Sequence, residues 1–134
     1  MKKIVHVSGS RKKSIARATL REGKGIIRVN KQLLETLQPE FTRLKISEPL
    51  MIAGDLAKKV DIMVKVHGGG SQSQTEATRL AIARALVEFS KDKTLKKEFL
   101  EYDRTLLVPD VRQREAAKPN RHGKARSKRQ KSYR

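Results

Sequence analysis

The sequence predicts an α+β protein: a small mixed sheet packed with helices, continued by an extended basic C-terminal tail. Three observations carry this. Apolar residues alternate over 15–21 and again over 60–67, the period of strands with one face buried. They recur at spacings of three and four over 74–90, which makes a helix with a stripe wide enough to lie on a sheet. From 111 to 134, ten Lys and Arg face one acid, and the sole large aliphatic residue is Val111. Such a segment buries too little surface to offset the cost of ordering it.

The elements follow in order. Val5 and Val7 begin a first strand, and Ile15 to Arg21 form a second, with Ala16, Ala18 and Leu20 toward one face and Arg17, Thr19 and Arg21 toward the other. Glu22-Gly23-Lys24-Gly25 reads as a hairpin turn into Ile26 to Val29. Asn30 is placed to cap a short helix through Leu37, which the Pro39 region breaks. A second short helix is expected at Glu48 to Ala53, with Pro49 in its first turn and Gly54 at its end. The clearest strand puts Val60, Ile62, Val64 and Val66 on one face and Asp61, Met63, Lys65 and His67 on the other, and it ends in three glycines. The long helix from about Gln74 to Ser90 follows, with Ser73 and Glu76 at capping-box spacing. Lys93 to Tyr102 is a shorter amphipathic helix with Leu95, Phe99 and Tyr102 on one side. The body spans 1–110, closing near Pro109, and the tail spans 111–134.

Of 134 residues, 32 are Lys or Arg and 14 Asp or Glu, for a formal net charge of +18. Half of that excess sits in the tail: residues 1–110 carry 22 basic and 13 acidic side chains, residues 111–134 carry ten and one. A charge of this size attracts polyanions, and nucleic acid is the default partner. The absence of cysteine excludes disulfides, thiol nucleophiles and sulfur-ligated zinc. No apolar run approaches the roughly 18 residues of a membrane span, and Met1 to Ser10 lack a signal-peptide pattern, so a soluble intracellular protein is expected.

Nothing in the sequence indicates an enzyme. His6, His67 and His122 are scattered, no carboxylate pair has a context suited to acid catalysis, and no G-x-S-x-G occurs. Gly68-Gly69-Gly70 lies between a strand and a helix, but the run continues Ser71-Gln72-Ser73-Gln74, without the later Gly or Lys of nucleotide-binding loops. The glycines permit positive φ at a tight turn. The same bare backbone before a helix N-terminus also suits an RNA phosphate. No cofactor and no small-molecule substrate are expected.

Arg11, Lys12 and Lys13 form a cation triplet between two strands, and Arg17, Arg21 and Arg28 extend it into a basic strip. Phe41, Phe89, Phe99 and Tyr102 have apolar neighbours that place them in the core, so base stacking on a sheet is not expected. Recognition should be of phosphates and shape. Net charge alone would equally suit a general DNA-binding protein.

His67-Gly68-Gly69-Gly70-Ser71-Gln72-Ser73-Gln74, followed by Ala77, Arg79 and Ile82-Ala83-Arg84-Ala85-Leu86, resembles the signature of the ribosomal protein S nine family of the small subunit. Gly9-Ser10-Arg11-Lys12-Lys13-Ser14-Ile15-Ala16-Arg17-Ala18, Glu48-Pro49-Leu50 and Pro109-Asp110-Val111-Arg112-Gln113-Arg114-Glu115 match in the same order, so the resemblance covers nearly the whole chain. The ending Gln130-Lys131-Ser132-Tyr133-Arg134 looks like the archaeal and eukaryotic branch, and the short chain favours archaeal. The resemblance implies a ribosomal S-five domain-two-like fold with a left-handed β-α-β crossover. It implies a cytoplasmic, ribosome-bound constituent of the small-subunit head, partnered by head-domain rRNA, other head proteins and transfer RNA in the peptidyl site. The rRNA-binding residues are then Arg11, Lys12, Lys13, Arg17, Gly68, Gly69, Gly70, Gln74, Arg79, Arg84, Arg112, Arg114, Arg121, Lys124, Arg126, Lys128 and Arg129. Lys131, Tyr133 and Arg134 would approach the anticodon stem-loop.

Overall fold

A strand beginning at Ile4 and one beginning at Ser14 are separated by two residues, Lys12 and Lys13, and that spacing makes the first hairpin. In the computed structural model, which describes residues 2–119 and 125–126, β1 (Ile4–Arg11) and β2 (Ser14–Glu22) pair antiparallel, with Arg11 opposite Ser14 and Lys12 at φ 54° in the turn. The period of two holds along β2: Ser14, Ala16, Ala18 and Leu20 are buried and the residues between them face outward.

The expected hairpin at 22–25 does not form. β3 (Ile27–Val29) lies parallel to β5 (Val60–His67), which inserts between it and β2; with β4 (Gln32–Leu33) this gives a five-stranded mixed sheet in the order β1-β2-β5-β3-β4. Residues 23–26 are held by β5 instead. The Gly23 amide donates to the Lys59 carbonyl, and the amides of Lys24 and Ile26 donate to Asp61 Oδ1 at 2.9 and 3.0 Å. Those amide bonds, the Ile26 one first, hold the Asp61 carboxyl below its ordinary value.

Asn30 caps no helix. With Lys31 it forms a two-residue turn, both at positive φ, into β4 (Gln32–Leu33), the conformation such tight hairpins require. Its amide side chain pairs with the backbone of Val66, donating to the carbonyl and accepting from the amide. A single 3-10 turn, Leu34–Thr36, stands where the short helix was expected.

The second short helix proves to be the end of a longer one. α1 (Glu40–Ala53) carries Pro49 in its interior, where it removes the bond to the Lys45 carbonyl, and stops at Gly54, φ 59°. Burial of Ile46 and Pro49 against the rest of the core outweighs that loss. α2 (Ser71–Ser90) begins three residues earlier than its periodicity suggested, because Gly70 is the residue before the helix and donates its amide to Ser73 Oγ. Glu76 is thereby free of any capping role. α3 (Lys93–Tyr102) is as expected, capped by Asp92.

α2 lies across β1 and β2, with α1 against its side. The meeting surface is made of small residues: Ala16 and Ala18 face Ala77, Ala81 and Ala85, all essentially without exposure. At Gly9 the approach is closest, since a Cβ there would stand 2.8 Å from the backbone of Ala77 and Ala81. Phe99 is fully buried, but Phe41 and Tyr102, expected in the core, are 63% and 58% exposed. Both sit on outward faces of helices that bury other residues. Among the described residues the helices lie over one face of the sheet, and the outward strand residues of the other face are largely exposed.

Candidate nucleic-acid interface

The open face inherits the outward half of each strand. Register aligns Ser8, Arg17 and Lys65 in one row across β1, β2 and β5, and His6, Thr19, Met63 and Arg28 in the next, reaching β3. Arg17, Arg28, Lys65 and Met63 are exposed, and His6 Nδ1 sits 3.1 Å from Thr19 Oγ1. Among the described residues, Arg17, Arg21, Arg28 and Lys65 make no salt bridge. Lys65 escaped sequence reasoning as a site residue. Its outward alternation was visible, but its place beside Arg17 depends on β5 being the neighbour of β2.

At one end of this face the glycine corner and the hairpin loop form a unit. Gly68 and Gly69 take φ of 79° and 63°, and a Cβ would meet the Lys13 carbonyl at 2.5 Å from Gly68 and Ser14 Oγ at 2.3 Å from Gly69. Ser14 Oγ lies 2.8 Å from the Gly68 carbonyl and 3.0 Å from Ser73 Oγ, and Gln74 Nε2 donates to the same carbonyl at 3.1 Å. Gln74 therefore braces the corner. The exposed cations Lys12 and Lys13 are held beside Gly68, Gly69 and Gly70, where the first-turn amides of α2 lack intrahelical partners.

Five of the expected RNA cations, Arg11, Arg79, Arg84, Arg112 and Arg126, are engaged within the protein. Arg79, 7% exposed in its side chain, is ion-paired to Glu48 of α1 and Asp103 beyond α3. Burial works to raise the Asp103 pKa, but the Thr105 amide and hydroxyl together with Arg79 outweigh it and hold the carboxyl below its ordinary value. Arg84 donates to the carbonyls of Leu107 and Ser8 at 3.1 and 3.0 Å. Arg11 donates to Glu76 Oε2 at 2.8 Å and to the Arg112 carbonyl at 3.0 Å, with Asp110 Oδ2 at 3.6 Å. The Arg112 side chain closes on Asp110, holding that carboxyl far below the usual range. Spacing shows a basic helix residue at 79 or 84; it does not show that a carboxylate or carbonyl from a distant segment meets it.

Residues 111–119 are exposed and adopt neither helix nor strand. Arg114 stands in this stretch, and Arg126 forks onto Glu115 with contacts of 2.6 and 2.9 Å. Arg121, Lys124, Lys128, Arg129, Lys131, Tyr133 and Arg134 lie outside the described residues. No grouping of three His, Asp or Glu among the described residues is placed to hold a metal, and no described helix is long and apolar enough to cross a membrane.

Among the described residues, one open face and one corner of the body present cations without a carboxylate partner, a surface whose charge suits a polyanion. Comparison with known proteins makes this specific. The profile of the family described as ribosomal protein S9/S16 matches residues 9–134. Small ribosomal subunit proteins uS9 from three strains of Methanococcus maripaludis (C7, S2 and C5) are each 49% identical over 133 residues, covering 98% of this chain and 99% of the relative. The chain belongs to the ribosomal protein S9/S16 family and is a structural ribosomal protein, not an enzyme.

Proposed function

We propose that the protein is a constituent of the small-subunit head that binds head-domain rRNA through phosphates and shape, with its C-terminal tail reaching the anticodon stem-loop of transfer RNA in the peptidyl site. The single observation that carries this is the separation of its cations. Those on the covered side are matched by carboxylates or carbonyls, whereas Lys12, Lys13, Arg17, Arg28 and Lys65 stand exposed without them. Unmatched cations on a rigid sheet release counterions when they meet phosphates, and that release supplies the sequence-independent, salt-sensitive part of the affinity, to which shape-specific burial adds the rest.

The glycine corner adds amides where a sugar-phosphate backbone can approach closely. Arg112, Arg114, Arg121, Lys124, Arg126, Lys128 and Arg129 extend the phosphate contacts along the tail, and beyond Arg112 its ordering is coupled to the RNA. Lys131, Tyr133 and Arg134 form the end that meets transfer RNA. Arg11, Arg79 and Arg84 support this surface from within. Neighbouring head proteins, a cytoplasmic location and the left-handed crossing of the parallel β3–α1–β5 unit belong to the same proposal.

The test is sedimentation of the native protein from a lysate through a high-salt gradient. Sharp co-migration with the small subunit is expected, because shape-specific burial survives salt that dissolves purely electrostatic association. Release to the top of the gradient, or spread over DNA, would overturn it. Removal of residues 132–134 should leave that co-migration intact and weaken transfer RNA retention; unchanged retention defeats the claim for the tail end.

A further inference from the structure

We propose that Arg11 and Arg84 are positioning residues that aim the basic extension, fixing the direction in which it leaves the body before any RNA is bound. Arg84 on α2 ties the Leu107 carbonyl to the Ser8 carbonyl of β1. Arg11, at the end of β1, ties the Arg112 carbonyl to Glu76 of α2, with Asp110 as a third contact. Two backbone points five residues apart are thus pinned to the same strand and the same helix.

Arg11 is spent in doing so. A guanidinium has five N–H donors; here Nε serves Glu76, Nη1 serves the Arg112 carbonyl and Nη2 faces Asp110, in a side chain only 13% exposed. Asp110 tightens the same point by accepting from the Arg112 amide at 3.0 Å and from its guanidinium. A merely solvated basic residue needs no such set of three partners drawn from two distant segments. The first residue free of the clamp is Gln113, so the direction in which the chain leaves the body there is set by β1 and α2. This use of the clamp rests on the proposed role of the tail, but the clamp itself is testable without RNA.

The chain has no cysteine, so Lys58→Cys and Ala116→Cys place two spin labels cleanly, one on the body and one on the exposed extension. Pulsed electron resonance on the full chain should give a narrow distance distribution. Arg11→Gln should broaden it about 1.5-fold, because the free stretch before residue 116 grows from four residues to nine and the spread of a flexible segment scales as the square root of its length. Arg11→Lys, which keeps the charge and part of the bonding, should fall between. Equal widths in Arg11→Gln and the parent, with urea midpoint and far-UV circular dichroism retained, overturn the proposal, as does a broad distribution in the parent. If Arg11→Gln does not fold, Asp110→Ala is judged by the same criterion. Failure to bind head rRNA with a narrow distribution would overturn the RNA-binding function and leave the clamp standing.

Discussion

The two sides of the sheet use the same residue type in opposite ways. On the covered side Arg79 sits between Glu48 and Asp103 and is nearly inaccessible; on the open side Arg17 stands beside Lys65 with no acid to meet it. The first arginine holds α1, α2 and the segment after α3 together, and the second makes no ion pair among the described residues. An arginine's role is therefore decided by its partners, and its position in a basic stretch says little. The unmatched side is the one left for an external anion.

The most severe way to break this contrast is Arg79→Met. It strands Glu48 and Asp103, and should cost about 2–4 kcal/mol, below the figure for a fully enclosed pair because both acids are partly exposed. Urea denaturation checks it; a loss under half a kcal/mol would place Arg79 with the surface cations. Gly69→Ala comes next, at about 1–3 kcal/mol, from positive φ and the clash with Ser14 Oγ. It tests whether the corner is built on the hairpin loop.

Asp61→Asn should cost about 1 kcal/mol at pH 7 by weakening the bonds from Lys24 and Ile26. The sign with pH follows from the lowered pKa. The carboxylate's contribution is present above its ordinary value of 3.8 and is lost as pH falls through the lower folded value, so variant and parent should converge in acid. Urea melts from pH 7 to pH 2.5 would show this, and a constant gap would refute it. The smallest effect on stability is expected for Arg17→Gln with Lys65→Gln, under about 0.5 kcal/mol. The same pair should reduce the slope of log affinity for head rRNA against log salt by about 1.4–1.8. An unchanged slope would break the contrast by moving RNA contact off the sheet.

Much of this was legible in the sequence because it depends on neighbours. The alternation of β2 and β5, the stripe of α2 and the span of α3 are local patterns, and each formed as written. What was hidden depends on distant segments. The turn at 22–25 has hairpin composition, yet Asp61, more than thirty residues away, collects its amides and seats β5 where the hairpin partner would have been. Pro49 reads as a helix start, and only burial against the core explains a helix that runs through it. The cation strip at Arg17 and Arg28 was visible from alternation, whereas Lys65 as its centre, and the withdrawal of Arg11, Arg79 and Arg84, required the strand order and the path of the chain after α3.

The insertion of β5 between β2 and β3 has a consequence for biogenesis. During synthesis β2 and β3 are complete at Glu22 and Val29, well before the strand that joins them begins at Val60, so each presents a bare edge to the cell while α1 is still being made. Neither can be satisfied locally, and the pairing that resolves both is a non-local one of the kind that forms slowly. A nascent chain paused before Val60 is for that interval a cationic polymer with open strand edges, the state in which a partner that shields it, whether chaperone or nucleic acid, matters most.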